Sequence, residues 1–175
     1  MVALSTPAPW PTRIALTPAT TWTTYTDPNV GFSFQYPSNW FFQGSAWTQS
    51  RPSPNGYGVT IRNYDDKILV ARNTHIPEEL KIELGILTGL SNCAGLDDWI
   101  ARSPQVHDTR AHDLRTVTIA ARPGRRWTAK GALLGDGVLV AAVGQGDRLY
   151  LIYGYAANTR YTSVFDHVVQ TFRLP

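Results

Sequence analysis

The sequence of 175 residues contains a single cysteine, Cys93, only three lysines among its 16 basic residues, and no uninterrupted apolar stretch near 18 residues. One cysteine excludes an internal disulfide and any zinc site built on two or more thiolates. The missing apolar stretch excludes a transmembrane helix. No Gly-Lys-Ser/Thr follows a glycine-rich turn, and Gly144-Gln145-Gly146 has no third glycine, so neither phosphate-loop nor dinucleotide chemistry is indicated. The acidic pairs Asp65-Asp66, Glu78-Glu79 and Asp97-Asp98 are adjacent residues whose side chains point apart, so none forms an acid–base pair alone. Alternating oxygen ligands of a calcium loop are also missing. No cofactor is expected.

What is present is an ordinary globular composition, 43% hydrophobic with 14 Gly and 12 Pro, and a net charge of +3. That length and composition suit one domain with a tail. The small surplus hides an uneven distribution. Six bases and one acid lie between Arg110 and Lys130, against seven acids and three bases between Tyr64 and Asp98. A basic edge and an acidic edge are expected, an arrangement that orients a partner electrostatically.

Residues 1–28 carry eight Thr, five Pro and one Ser with little charge, which reads as an extended tether over 1–24 ahead of a folded domain over 25–175. No basic n-region and apolar h-region open the chain, so no secretory signal is read here. A Thr/Pro stalk is nevertheless what remains once an export signal or lipid anchor has been removed. The expectation is therefore an extracytoplasmic protein, secreted or lipid-anchored in a bacterium, with a membrane tether through a segment missing from the N-terminus.

Alternation of apolar and polar residues marks strands at Gly31–Tyr36, Val59–Tyr64 and Lys81–Ile86, with Trp40-Phe41-Phe42 starting another. Leu96, Trp99 and Ile100 indicate a short helix before Pro104. Four strands follow, at Leu114–Ala121, Arg126–Leu134, Val138–Val143 and Leu149–Ala156. Composition places hairpin turns at Pro123-Gly124, Gly135-Asp136-Gly137 and Gly144–Asp147. Tyr161, Val164, Phe165, Val168 and Phe172 recur at helical spacing, capped by Asn158 or Thr159, and Phe172-Arg173-Leu174 leaves as a short strand. The fold class is α+β on one antiparallel sheet.

Tyr25-Thr26-Asp27-Pro28-Asn29-Val30-Gly31-Phe32-Ser33-Phe34-Gln35-Tyr36-Pro37-Ser38-Asn39-Trp40 resembles the opening of PsbP-type domains, with their Gly-Phe-x-Phe-x-Tyr-Pro followed by Trp. Val59–Asp65 is similar to a later strand of such domains, and Ser163–Leu174 to their closing helix and strand. The likeness runs from Tyr25 to Pro175. It implies an α-β-α sandwich around a single antiparallel sheet and carries over no catalytic residue. The family includes the extrinsic photosystem II protein and exported bacterial proteins.

Candidate chemistry is sparse. Arg122-Pro123-Gly124-Arg125-Arg126-Trp127-Thr128-Ala129-Lys130 reads as a hairpin tip in which Arg122, Arg125, Arg126, Trp127 and Lys130 grip an anionic partner, since arginine offers planar bidentate contacts. No RNA- or DNA-binding motif accompanies it, so no specific nucleic acid is expected. His107-Asp108 and His112-Asp113 repeat a His-Asp pair five residues apart. In a loop, His107, Asp108, His112 and Asp113 would meet a divalent cation; on a strand that spacing puts the two imidazoles on opposite faces, and Arg110 between them opposes a cation. Ser33 lies within a strand and lacks the setting of a nucleophile. Cys93, ahead of a helix start, reads as a small packed side chain. The function expected is a non-enzymatic exported or surface-tethered domain that binds a protein, an envelope component or a small anionic ligand through the sheet's exposed face and the arginine hairpin. The alternatives are a hydrolase whose site only the fold assembles, signalled by a histidine within reach of a carboxylate, and a photosynthetic assembly or metal-handling protein by family analogy.

Overall fold

A computed structural model describes residues 15–44, 57–65, 78–102, 112–131, 135–156 and 161–175. Nine strands and two helices follow in order: β1 (Trp22–Thr26), β2 (Ser33–Pro37), β3 (Phe41–Gln43), β4 (Tyr57–Arg62), β5 (Leu80–Thr88), α1 (Leu96–Arg102), β6 (His112–Ile119), β7 (Arg122–Gly131), β8 (Gly135–Gln145), β9 (Arg148–Ala156) and α2 (Thr162–Thr171). Strands β3 to β9 form one antiparallel sheet in the order β3-β4-β5-β9-β8-β7-β6, and β1 pairs β2 in a separate ribbon.

The period of two decides what each face carries. Leu80, Ile82, Leu84 and Ile86 of β5 are buried in alternation with half-buried Lys81, Glu83, Gly85 and Leu87. The first set shares a core with Val59, Ile61, Tyr150 and Ile152, closed by Phe32 and Phe34 from the ribbon and by Val164, Phe165, Val168 and Phe172 from α2 and its exit. The second face holds a smaller core in which Ile100 of α1 packs with Trp127, Ala129, Val138, Val140, Leu149 and Leu151. Helix α2 and the ribbon lie on one side and α1 on the other, the α-β-α sandwich expected. Gly154 is required beneath α2, because a Cβ there would lie 2.7 Å from Phe165 Cδ2.

Turn chemistry departs from expectation at two hairpins. Pro123-Gly124 lies inside β7, which begins at Arg122. The chain reverses at Ala120-Ala121, both left-handed (φ 51° and 60°), with Ile119 opposite Arg122. Gly124 serves packing instead: a Cβ at this position would meet Ala142 O and Ile119 Cδ1 at 2.8 Å. Gly135-Asp136-Gly137 likewise opens β8, with Gly135 opposite Gly131. The expected exit strand is a single antiparallel bridge between Arg173 and Ser33. Asn158 and Thr159, named as caps of α2, lie outside the described residues.

Residues 15–24, assigned to the tether on composition, hold on to the domain. Leu16 N donates to Asn63 O (2.6 Å), Asn39 Nδ2 donates to Thr17 O (2.8 Å), and Trp22–Thr24 pair with Gln35–Pro37. Asn63, fully buried, completes the clasp by donating to Glu78 O (2.8 Å) and accepting from Leu80 N (2.8 Å). Unmet backbone groups of a Thr/Pro segment are costly only if buried, and here each of these finds a partner.

Candidate functional site: the arginine strand and the open half-face

The residues Arg122–Lys130 are not a hairpin tip but strand β7, flanked by β6 and β8. Alternation then sends neighbouring arginines to opposite sides of the sheet. Arg125 meets Asp97 of α1 through two bonds, Nε to Oδ1 at 2.7 Å and Nη2 to Oδ2 at 2.6 Å. Arg126 meets Asp166 of α2 at 2.8 Å, with its guanidinium 5.6 Å from the Phe165 ring centroid. Each guanidinium fastens one helix to the sheet, so Arg125 and Arg126, read from sequence as part of an anionic grip, are engaged within the fold. Trp127, 2% exposed, belongs to the core under α1 and offers no surface. Lys130 lies opposite Asp136 in the register. Arg122, at the exposed start of β7, keeps its surface position.

The separation of basic and acidic stretches is likewise reduced by the fold. Asp97 comes from the acidic stretch and docks on the basic strand, while Asp98 pairs Arg102 one helical turn on at 2.7 Å.

Of the residues proposed for a cation, His107 and Asp108 lie outside the described residues. His112 faces Thr128 on β6, and Asp113 is exposed with φ 58° at a register shift between His112 and Arg115. Among the described residues no three His, Cys, Asp or Glu groups gather as metal ligands. His167 stacks on Trp22 with ring centroids 3.6 Å apart, and its Nε2 lies 3.1 Å from Gln35 Oε1. Partial burial lowers its pKa below the ordinary 6.5. The ring joins α2 to both strands of the ribbon, and its hydrogen-bond partner is the Gln35 amide. Cys93 is half-buried after a 3-10 turn, its N–H donating to Leu90 O at 3.0 Å.

A different group of residues is assembled on the second face beside the α1 core, against which Tyr153 and Tyr155 pack. The cross-strand register puts Phe41 opposite Arg62, Arg62 opposite Lys81 and Lys81 opposite Tyr155; one step along, Gln43, Thr60, Glu83 and Tyr153 form a parallel row. Phe41 is 39% exposed, one of two large apolar side chains so exposed among the described residues. Lys81 Nζ bonds Glu83 Oε1 at 2.8 Å and lies 4.5 Å from the Tyr155 ring centroid. Arg62 Nη2 donates to Gln43 Oε1 at 2.9 Å. The Tyr153 and Tyr155 rings lie 6.2 Å apart. Burial, reinforced by the Glu83 charge, pushes the Tyr153 hydroxyl up to about 12 and raises Tyr155 for the same reasons. Both phenols therefore stay neutral donors at any physiological pH. Only strand alternation signals these residues in the sequence. Lys81 and Glu83 lie between the apolar positions of β5, but their meeting with Phe41, Arg62 and the tyrosines depends on a sheet order that the sequence does not display.

No protein-family model matches the chain, and no curated protein matches it. Among solved structures the chain is similar to the solution structure of cyanobacterial PsbP (CyanoP) from Synechocystis sp. PCC 6803. The two share 17% sequence identity over 90% of this chain and 94% of that chain, with a TM-score of 0.51. At that identity the likeness is one of fold. No helix of the described residues is long and apolar enough to cross a membrane.

Proposed function

We propose that this domain of PsbP-like fold is a non-enzymatic, exported or surface-tethered binding module whose partner is a protein seated on the open half of the second face. The observation that carries the reading is the two-row patch of Phe41, Arg62, Lys81, Glu83, Tyr153 and Tyr155. Tyrosine, phenylalanine and arginine are enriched where proteins meet: the aromatic rings bury a large area with few rotatable bonds, the tyrosine hydroxyl adds a polar edge, and the planar guanidinium combines stacking with several hydrogen-bond donors. The patch lies on strands, so the domain holds its shape before a partner arrives and ordering costs little on binding. Its mixed charges give a partner a defined register. Export or tethering rests on the Thr/Pro-rich composition of the N-terminal residues, and the anionic-ligand and envelope readings are served less well by a face that carries Glu83 among its bases.

The experiment is site-specific photocrosslinking in the native host from position 41, with position 116 on the far edge strand as control. The expected result is one protein adduct from 41 that 116 does not give. Purified, that protein should bind the full chain at least about tenfold more weakly when Phe41→Ala and Arg62→Ala are combined, since each anchor removed costs more than about 1 kcal/mol. Identical adducts from both positions, or an affinity the double variant leaves unchanged, would count against the reading.

A further inference from the structure

We infer that a cleft at the opposite end of β7 is a binding site for a tetrahedral oxyanion, a phosphate or sulfate group. The cleft has a volume of about 550 Å³ and is walled by three segments distant in sequence: the Ala120-Ala121 turn with Arg122, Gln145 at the end of β8, and Gln170 with Arg173 at the exit of α2. Its lining side chains include two arginines and two glutamines and no acid. Where Arg125 and Arg126 are consumed by Asp97 and Asp166, the Arg122 side chain has no ion pair or hydrogen bond among the described residues. Arg173 is held in place without a ligand, because its Nη1 donates to Gln170 O (2.9 Å) and Phe172 O (2.8 Å). Pro175, the last residue of the sequence, also lines the cleft; its carboxyl group is the one acidic group in the wall and accepts from Gln145 Nε2 at 3.3 Å, which leaves the two guanidinium charges in excess.

The turn that presents Arg122 is strained. A two-residue hairpin with both central residues left-handed is ordinarily Asn-Gly or Asp-Gly, and an alanine forced there is disfavoured by its own Cβ. Two such residues side by side, Ala120 and Ala121, persist where the surrounding structure over-determines them, as at ligand-holding positions. Here they carry only methyl groups toward the cleft and set Arg122 at the first pair of the β6–β7 ladder. With Arg173 Nη1 and one Gln145 N–H already engaged, the Arg122 fork, the rest of the Arg173 fork and Gln170 still supply more N–H donors than a planar carboxylate can accept, and a tetrahedral oxyanion has the acceptors to use them. The site is independent of the partner face.

Amide NMR titration of the full chain with inorganic phosphate, sulfate, phenyl phosphate and acetate tests it. Saturable shifts at residues 120–122 and 170–173 are expected with phosphate and sulfate, and weaker ones with acetate. Arg122→Gln should weaken phosphate at least about tenfold, the loss of one charge-assisted pair. Arg115→Gln, an exposed arginine about 13 Å back along β6, should leave the affinity unchanged. Phenyl phosphate binding more tightly than phosphate supports the site with a phosphoryl group carried on a larger molecule; equal binding supports it for the free ion. Non-saturating shifts, acetate as tight as phosphate, or equal losses in the two arginine variants would overturn the assignment.

Discussion

The two faces of the central sheet are made by the same strands and treated very differently. The first is sealed: the ribbon and α2 lay Phe32, Phe34, Phe165 and Phe172 over it, each at most 1% exposed. Among the described residues the second is covered by α1 mainly over the β7–β8–β9 part, and on β3, β4 and β5 it carries Lys81, Glu83, Arg62 and the exposed Phe41. Sealing follows from alternation that is strictly apolar on one side, which makes coverage obligatory. The half-sealed face departs from that rule where polar side chains pair with one another instead of with a covering layer. The larger core lies on the first face, and the recognition we propose lies on the second.

That division can be broken most forcibly from the sealed side. Phe165→Ala removes a fully buried ring from beneath α2 and should cost about 3–5 kcal/mol, read as a lower urea midpoint with the slope retained. On the open side, high pH should sharpen the contrast. The folded Tyr153 holds its proton up to about 12, above the ordinary 10, so the folded state binds more protons than the unfolded one in that interval. Stability is thus complete below pH 10 and declines as pH rises toward 12. Replacing Glu83 by Gln, which removes the second cause of the shift, should bring the phenolate absorbance of Tyr153 to lower pH. The smallest effect is expected at the helix clamp on the half-sealed face. Asp97 is 68% exposed in its side chain, so Arg125→Ala should cost no more than about 1 kcal/mol in thermal unfolding.

What the sequence disclosed divides along the same physical lines. Periods of two and 3.6 are local, and they located β2, β4, β5, α1 and α2 to within a few residues. The Phe32-Phe34 stripe and the α2 stripe were each legible for that reason, and the structure joins them in one core. The β6–β7 turn was not legible, because glycine and proline normally mark reversals, whereas here Gly124 makes room for Ile119 and the reversal falls on two alanines. The role of the arginines was hidden for another reason. Arg125 finds Asp97 across 28 residues of sequence, and only the sheet order says that α1 hangs over β7. Arg122 was named and remains at the surface, but Arg173, Gln145 and Gln170, which join it, come from elements that composition treats as unrelated. The open patch was legible only as a statement that some face of the sheet is exposed.

The clasp between Leu16 and Asn63 has a mechanical meaning. A load entering from the N-terminal side does not first reach Trp22 and peel β1 from β2. It arrives at Leu16, whose N–H is bonded to the main chain just past β4, while Asn63 is locked in turn to Glu78 and Leu80 at the head of β5. A pull from the N-terminal side would therefore load the large sheet near its interior strands before it loads the ribbon that helps seal the aromatic core.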